Sequence, residues 1–309
     1  MTPAQRQRPG HMDVTNTVDV TDPAAVAVAV RRILQERYPD YDFSPVDALV
    51  EDFASLYGGT FPGFRACEIK YHDAQHVLDV TLAMARLLDG HEHDPEPVGS
   101  LGPELALAGI AAALFHDSGY IRRTRDHRHK SGAAYTRIHV MRSERFIADH
   151  LPAMGLAHLV GTCTRIVHFT GYGLDTRELP VESDSERRLG ALLGTADLIA
   201  QMADVEYVRK CHDHLYEEFE IGGMAGAGGR AGHSGTVYLS PAHLLESTPE
   251  FIRNAIEVRL EGQFDGVHRC AARHFGGPNL YMDAILHNAR RLQALLLDSP
   301  GAVATVSRP

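Results

Sequence analysis

The chain contains no tryptophan, only four cysteines and no long apolar run. The cysteines, Cys67, Cys163, Cys211 and Cys270, lie far apart and include no C-x-x-C pair. That pattern excludes a zinc knuckle and offers no disulfide framework, so a reducing compartment is the reading that follows. No stretch approaches the roughly 18 consecutive apolar residues of a membrane span. The opening MTPAQRQRPGHMDVTN also lacks the apolar centre of a signal peptide. A cytoplasmic protein with no membrane partner is expected. Positive charge is scarce too, with 40 acidic side chains against 30 basic ones and a net charge of −10. This balance argues against a nucleic-acid polymer as partner, because phosphate backbones are bound by clustered cations.

What is abundant is histidine, at 19 residues. Histidine is the commonest metal ligand and a proton carrier near neutral pH, so each position carries information about chemistry.

The alternating apolar–polar runs of strands are nearly absent, and helical signals recur along the chain. Residues 1–21 are polar without a sustained period and are read as a disordered tail. Asp22-Pro23 then reads as an N-cap followed by a first-turn proline, and Ser44-Pro45 repeats the signal ahead of a helix that stops at Gly58-Gly59. Further helices are expected in IKYHDAQHVLDVTLAMARLLDG, in PELALAGIAAALFHDSGY from Pro103, and in the segments around TRIHVMRSERF and TRIVHFT. One long helix is read across SERRLGALLGTADLIAQMADVEYVRKCHDHLYEEFE, with two more towards residue 298. The fold class is therefore all-α, a multi-helix bundle over residues 22–298, with 299–309 as a C-terminal tail. The Gly-rich stretch 221–235 reads as a flexible insertion or lid. It follows a helix, so it lacks the strand that precedes a phosphate-cradling loop.

Three places carry unusual polarity. His72 and His76 are four residues apart on the expected helix and would share one face. His116 and Asp117 stand side by side at the end of an almost wholly apolar helix, where burying two polar groups is costly without a partner. Asp197 interrupts another apolar helix in the same way, and a buried carboxylate needs a cation, a proton or an arginine. Together, imidazoles and carboxylates make a shell suited to Zn, Fe, Mn or Mg.

In this order, YHDAQHVLDV, ALFHDSGY and TADL resemble the HD superfamily of metal-dependent phosphohydrolases. The first segment is similar to the YHNxxH element of class I cyclic-nucleotide phosphodiesterases. The resemblance spans roughly Lys70 to Gln201. It implies a helical fold with two divalent metal ions, the first held by His76, His116, Asp117 and Asp197, with Asp117 bridging both. His72 matches the histidine that protonates the leaving oxygen. Two positions depart from the pattern: Asp73 stands where those enzymes have asparagine, and Tyr120 where many carry another histidine. The order of His139 and His168 after the HD pair resembles HD-GYP phosphodiesterases and di-iron HD oxygenases, in which two such histidines ligate the second metal. Read without the resemblance, His139 lies on a solvated helix face among Arg137, Arg142 and Glu144.

The basic run after the HD pair reads as a solvated loop from which Arg122 and Arg123 could clamp a substrate phosphate, given the match between the guanidinium fork and phosphate oxygens. Gln201 shares a helix face with Asp197 and would meet substrate or support the ligand. The function expected is hydrolysis of a small-molecule phosphoester, a cyclic or related nucleotide diester, by a metal-activated water with His72 as general acid. The alternatives are a di-iron oxygenase and a non-catalytic ligand-binding HD domain, and whether the chain forms a homodimer is left open.

Overall fold

The structure, a computed structural model, describes residues 8–226 and 237–298. Its architecture is an all-α multi-helix bundle, and among the described residues there is no sheet, only isolated β-bridges. In chain order the helices are α1 (Pro23–Arg37), α2 (Pro45–Gly58), α3 (Ala74–Glu92), α4 (Gly102–Phe115), α5 (His139–His150), α6 (Val160–Ile166) and α7 (Asp184–Ala203). Then follow α8 (Tyr207–Lys210), α9 (Tyr216–Ile221), α10 (Pro241–Asn254), α11 (Cys270–Phe275) and α12 (Leu280–Asp298). No described helix is long and apolar enough to cross a membrane.

The centre is built from α3, α4 and α7. Every residue of α4 from Ala106 to Phe115 is buried, because its sequence is apolar on all faces and only an interior position satisfies that. Helix α3 packs against α7, α4, α1 and α11. Gly90 allows the α11 contact, since a Cβ there would lie 1.8 Å from the Cys270 carbonyl oxygen.

The helix starts follow their local signals. Asp22 accepts from the Ala24 backbone N–H at 2.9 Å, and α2 ends on Gly59 in the left-handed region at φ 80°. The expected long helix through residues 185–220 is instead broken after Ala203. Asn288 of α12 donates from Nδ2 to the Met202 and Asp204 carbonyls at 2.9 and 2.6 Å, so a distant side chain caps α7. The chain then resumes as α8 and passes through a π-helical turn, Cys211–Leu215, into α9.

The tail expected over residues 1–21 is corrected from residue 8 onward. Asp13 is fully buried, its Oδ1 accepts from the backbone N–H groups of Thr17 and Val18, both at 2.8 Å, and it pairs with the buried Arg86. The guanidinium also donates to the Tyr281 hydroxyl at 2.9 Å. A polar segment thus becomes ordered by satisfying a buried cation, which a reading of hydropathy does not register. The expectations for residues 1–7, for most of the Gly-rich insertion (227–235) and for the tail at 299–309 lie outside the described residues.

Candidate metal centre

Asp73 is the N-cap of α3, its Oδ1 accepting from the His76 backbone N–H at 3.0 Å. The asparagine expected at this position from the resemblance is thus replaced by another good capping residue. The cap also corrects one expectation: the helix begins at Ala74, so His72 lies just before it rather than on its face. The two imidazoles still meet, with ring centroids 5.7 Å apart and Asp73 between them in an extended conformation.

His76 occupies that first turn, His116 caps the C-terminus of α4, Asp117 follows it directly, and Asp197 projects from the middle of α7. His76, His116 and Asp197 place one ligand atom each within 4.8 Å of one another, a group that could hold a metal ion. His76 Nε2 lies 3.2 Å from Asp197 Oδ1, and His116 Nε2 lies 3.4 Å from Asp117 Oδ2. His76 Nε2, His116 Nε2 and Asp117 Oδ2 are all buried and have no hydrogen-bond partner. Buried polar atoms are rarely left unsatisfied, and three that converge on one point fit a cation between them.

The tautomers agree with this. His116 Nδ1 is 2.7 Å from the Ala113 carbonyl oxygen, which can only accept, so in the neutral imidazole that a cation would bind Nδ1 carries the proton and Nε2 turns its lone pair inward. His139, the first residue of α5, is fixed in the same way by the Thr136 carbonyl at 2.7 Å. Its Nε2 lies 3.5 Å from the other Asp117 oxygen, Oδ1. The solvated-face reading of His139 is therefore replaced by a position against Asp117. Gly119 makes this approach feasible: a Cβ there would stand 1.9 Å from the His139 carbonyl oxygen, so any side chain at this position would push α5 away. Ser143 and Arg142 of α5 bond to the Gly119 backbone N–H and carbonyl at 2.9 and 2.6 Å.

Charge and burial compete here. Burial pushes the Asp117 carboxyl up, but the imidazoles of His116, His72 and His139 outweigh it and hold the group far below the usual carboxylate range. Burial pulls His116 down, and Asp117 more than reverses this, to about 9. For His139 burial dominates and the value falls.

His72 has its own partner. Glu218 of α9, itself buried, lies with Oε2 2.7 Å from His72 Nδ1, while its Oε1 accepts from the Tyr71 backbone N–H at 2.6 Å. Burial lowers the His72 pKa, but the Glu218 carboxylate overrides this and raises it to about 9. Tyr120 packs flat against both His72 and His139, with centroids 4.9 and 4.5 Å away and both pairs 15° from parallel. The tyrosine that departs from the phosphodiesterase pattern thus serves as a stacking platform.

A cavity of about 360 Å³ opens from this pole, and His72, Asp117, His139, His168, Asp197 and Gln201 are on its wall. His168 is turned towards Glu144, with Nε2 3.0 Å from Oε2. Gln201 accepts from the Tyr71 hydroxyl at 3.1 Å. Neither Arg122 nor Arg123 is on the wall, which corrects their expected role. Arg122 is buried in a two-pronged pair with Glu68, Nε to Oε2 at 2.6 Å, and Arg123 is exposed beside Asp149 at 3.7 Å and over the Phe64 ring. Glu218 was missed in the sequence, where it is indistinguishable from its exposed neighbour Glu217, which reaches Lys70. Neither the known family models nor the curated proteins give a match to this chain.

Proposed function

We propose that this protein is an HD-type, metal-dependent phosphohydrolase acting on a small-molecule phosphoester. The observation that carries the reading is the convergence of three partnerless buried ligand atoms beside Asp197, where Asp117 and Asp197 face a cavity whose wall also carries His72, the partner of Glu218. His76, His116, Asp117 and Asp197 would hold one divalent cation. The two oxygens of Asp117, directed at different imidazoles, suit a second ion on the His139 side. Divalent ions in such a site lower the pKa of water and neutralise charge on phosphoryl oxygens.

The chain's own residues supply the rest. In hydrolysis a water oxygen forms the new bond to phosphorus, the bond from phosphorus to the ester oxygen breaks, and the leaving oxygen needs a proton. His72, held protonated at neutral pH by Glu218, has Nδ1 engaged and Nε2 left to donate. Tyr120 and Glu218 keep that ring fixed, and the apolar helices beneath exclude bulk water from the carboxylates. His168, paired with Glu144, is not required by this reading.

The test is hydrolysis of bis(4-nitrophenyl) phosphate and of cyclic and linear nucleotides by protein reconstituted with Mn, Zn, Mg or Fe. Turnover that depends on metal and on His116 supports the proposal. Two bound irons, air-dependent turnover and no phosphodiesterase activity would replace it with the oxygenase reading.

A further inference from the structure

Beyond the proposed ligands the cavity wall is largely apolar. Leu198, Leu215, Phe219, Met224, Leu244 and Phe251 form its wall there, contributed by α7, the turn between α8 and α9, α9, the loop after α9 and α10. At the mouth, Ile138, Met141, Tyr172 and Leu174 line the same cavity and are exposed by 41%, 57%, 36% and 48%. Single exposed apolar side chains are ordinary, but several around one opening, continuous with an apolar interior, mark a binding surface. The volume of about 360 Å³ is within the range that encloses one small ligand.

The polar groups are as informative. Among the described residues Arg137 is the one arginine or lysine on the cavity wall, and its guanidinium donates to the Gly223 carbonyl at 3.0 Å. The basic run after the HD pair, which would have served a chain of phosphates, points elsewhere, as Arg122 and Arg123 show. The one wall amide, Gln201, already accepts from Tyr71 through Oε1, which limits its use in reading a nucleobase edge. A single phosphoryl group can be neutralised at the metal-binding pole. Among the described residues further phosphates would find no cation cluster on this wall, and several of its hydroxyls are already engaged, those of Thr136, Thr170 and Thr248 donating to the Ala133, Val167 and Leu244 carbonyls.

We infer that the substrate is a phosphodiester with one phosphoryl group and an alkyl or aryl ester group that occupies this apolar lobe. The inference rests on the phosphohydrolase reading for the bond that is cleaved, and on the cavity wall for the group that is bound. In the reaction water adds its oxygen to phosphorus, the bond to the leaving oxygen breaks with its electron pair, and the apolar ester group stays attached to the released phosphate monoester.

The test holds the leaving group constant. Metal-reconstituted protein is given 4-nitrophenyl methyl, propyl and hexyl phosphates, and the 4-nitrophenyl ester of thymidine 5′-phosphate. kcat/KM is expected to rise about fourfold for each methylene that enters the lobe, from the transfer free energy of a buried CH₂. The nucleoside ester should fall below the hexyl ester. Ile138→Glu and Leu174→Glu, on the exposed rim where folding tolerates charge, should each shrink the hexyl-to-methyl ratio. A flat series, a preference for the nucleoside ester, or a ratio unmoved by both variants overturns the inference while leaving the hydrolase reading intact. If no ester is cleaved the hydrolase reading fails, and calorimetric titration with hexylphosphonate and methylphosphonate decides the inference separately: tighter hexyl binding keeps it, and equal or absent binding overturns it.

Discussion

Glu218 lies 146 residues from His72 in the chain, and its Oε2 is 2.7 Å from His72 Nδ1. The pair joins the segment before α3 to α9 and governs the protonation of the imidazole that, in the phosphohydrolase reading, serves the leaving group. Because the carboxylate raises the His72 pKa from 6.5 to about 9, the imidazole is protonated below that value and loses its proton as pH rises through it. In the phosphohydrolase reading, kcat/KM should therefore fall on the alkaline side near pH 9. Glu218→Gln should move that limb to lower pH, because the burial that disfavours the charged ring remains while its main counter-charge is gone. The same linkage acts on stability: the pair's contribution is full below pH 6.5 and lost as pH rises through about 9, so the variant should show a flatter melting temperature over that window. Superimposable pH–rate profiles would refute the role given to Glu218.

His72→Ala should keep bound metal and lose turnover, by the 10²- to 10⁴-fold typical of general acid catalysis. The loss should shrink for 4-nitrophenyl esters, whose leaving group needs little protonation. Metal analysis together with rates on esters of poor and good leaving groups checks both statements. An equal loss on both esters would count against proton donation.

His116→Ala and Asp117→Ala should each remove metal and activity while leaving a helical circular-dichroism spectrum. Both side chains stand at the end of α4, whose packing is carried by the ten buried residues before them. Full metal content in either variant would show that the ion is held elsewhere.

Adding a divalent ion to chelator-treated protein should raise its melting temperature, because a ligand that binds only the folded state stabilises it by mass action. At 100 times Kd this is about 2.7 kcal/mol, or roughly 4 °C for a chain of this size. His76→Ala should abolish the shift, since it deletes one of the three converging ligands. Calorimetry with and without Mn or Zn is the measurement.

Asp13→Ala should destabilise the fold by about 3–5 kcal/mol, because it leaves the buried Arg86 guanidinium without its counter-charge. Denaturant melts of the variant, compared with Asp19→Ala on the exposed side of the same turn, would measure this. A difference of less than about 1 kcal/mol would mean that the N-terminal segment is dispensable.

Local physics made much of the fold legible in the sequence. The absence of strand alternation, the Asp22-Pro23 and Ser44-Pro45 starts, the Gly59 stop and the all-apolar run of α4 are short-range matters of capping, φ preference and helical periodicity. The polar residues that interrupt apolar helices, His116, Asp117 and Asp197, were legible for a related reason: burial of such groups is costly enough to signal a shared partner. Tertiary structure decided what depends on long-range approach. It turned Arg122 into Glu68, set His168 against Glu144, capped α7 with Asn288, ordered Asp13 on Arg86 and chose Glu218 over its neighbour Glu217 for His72. A charged side chain's partner is fixed by where helices cross, and no periodicity or composition encodes that crossing one residue at a time.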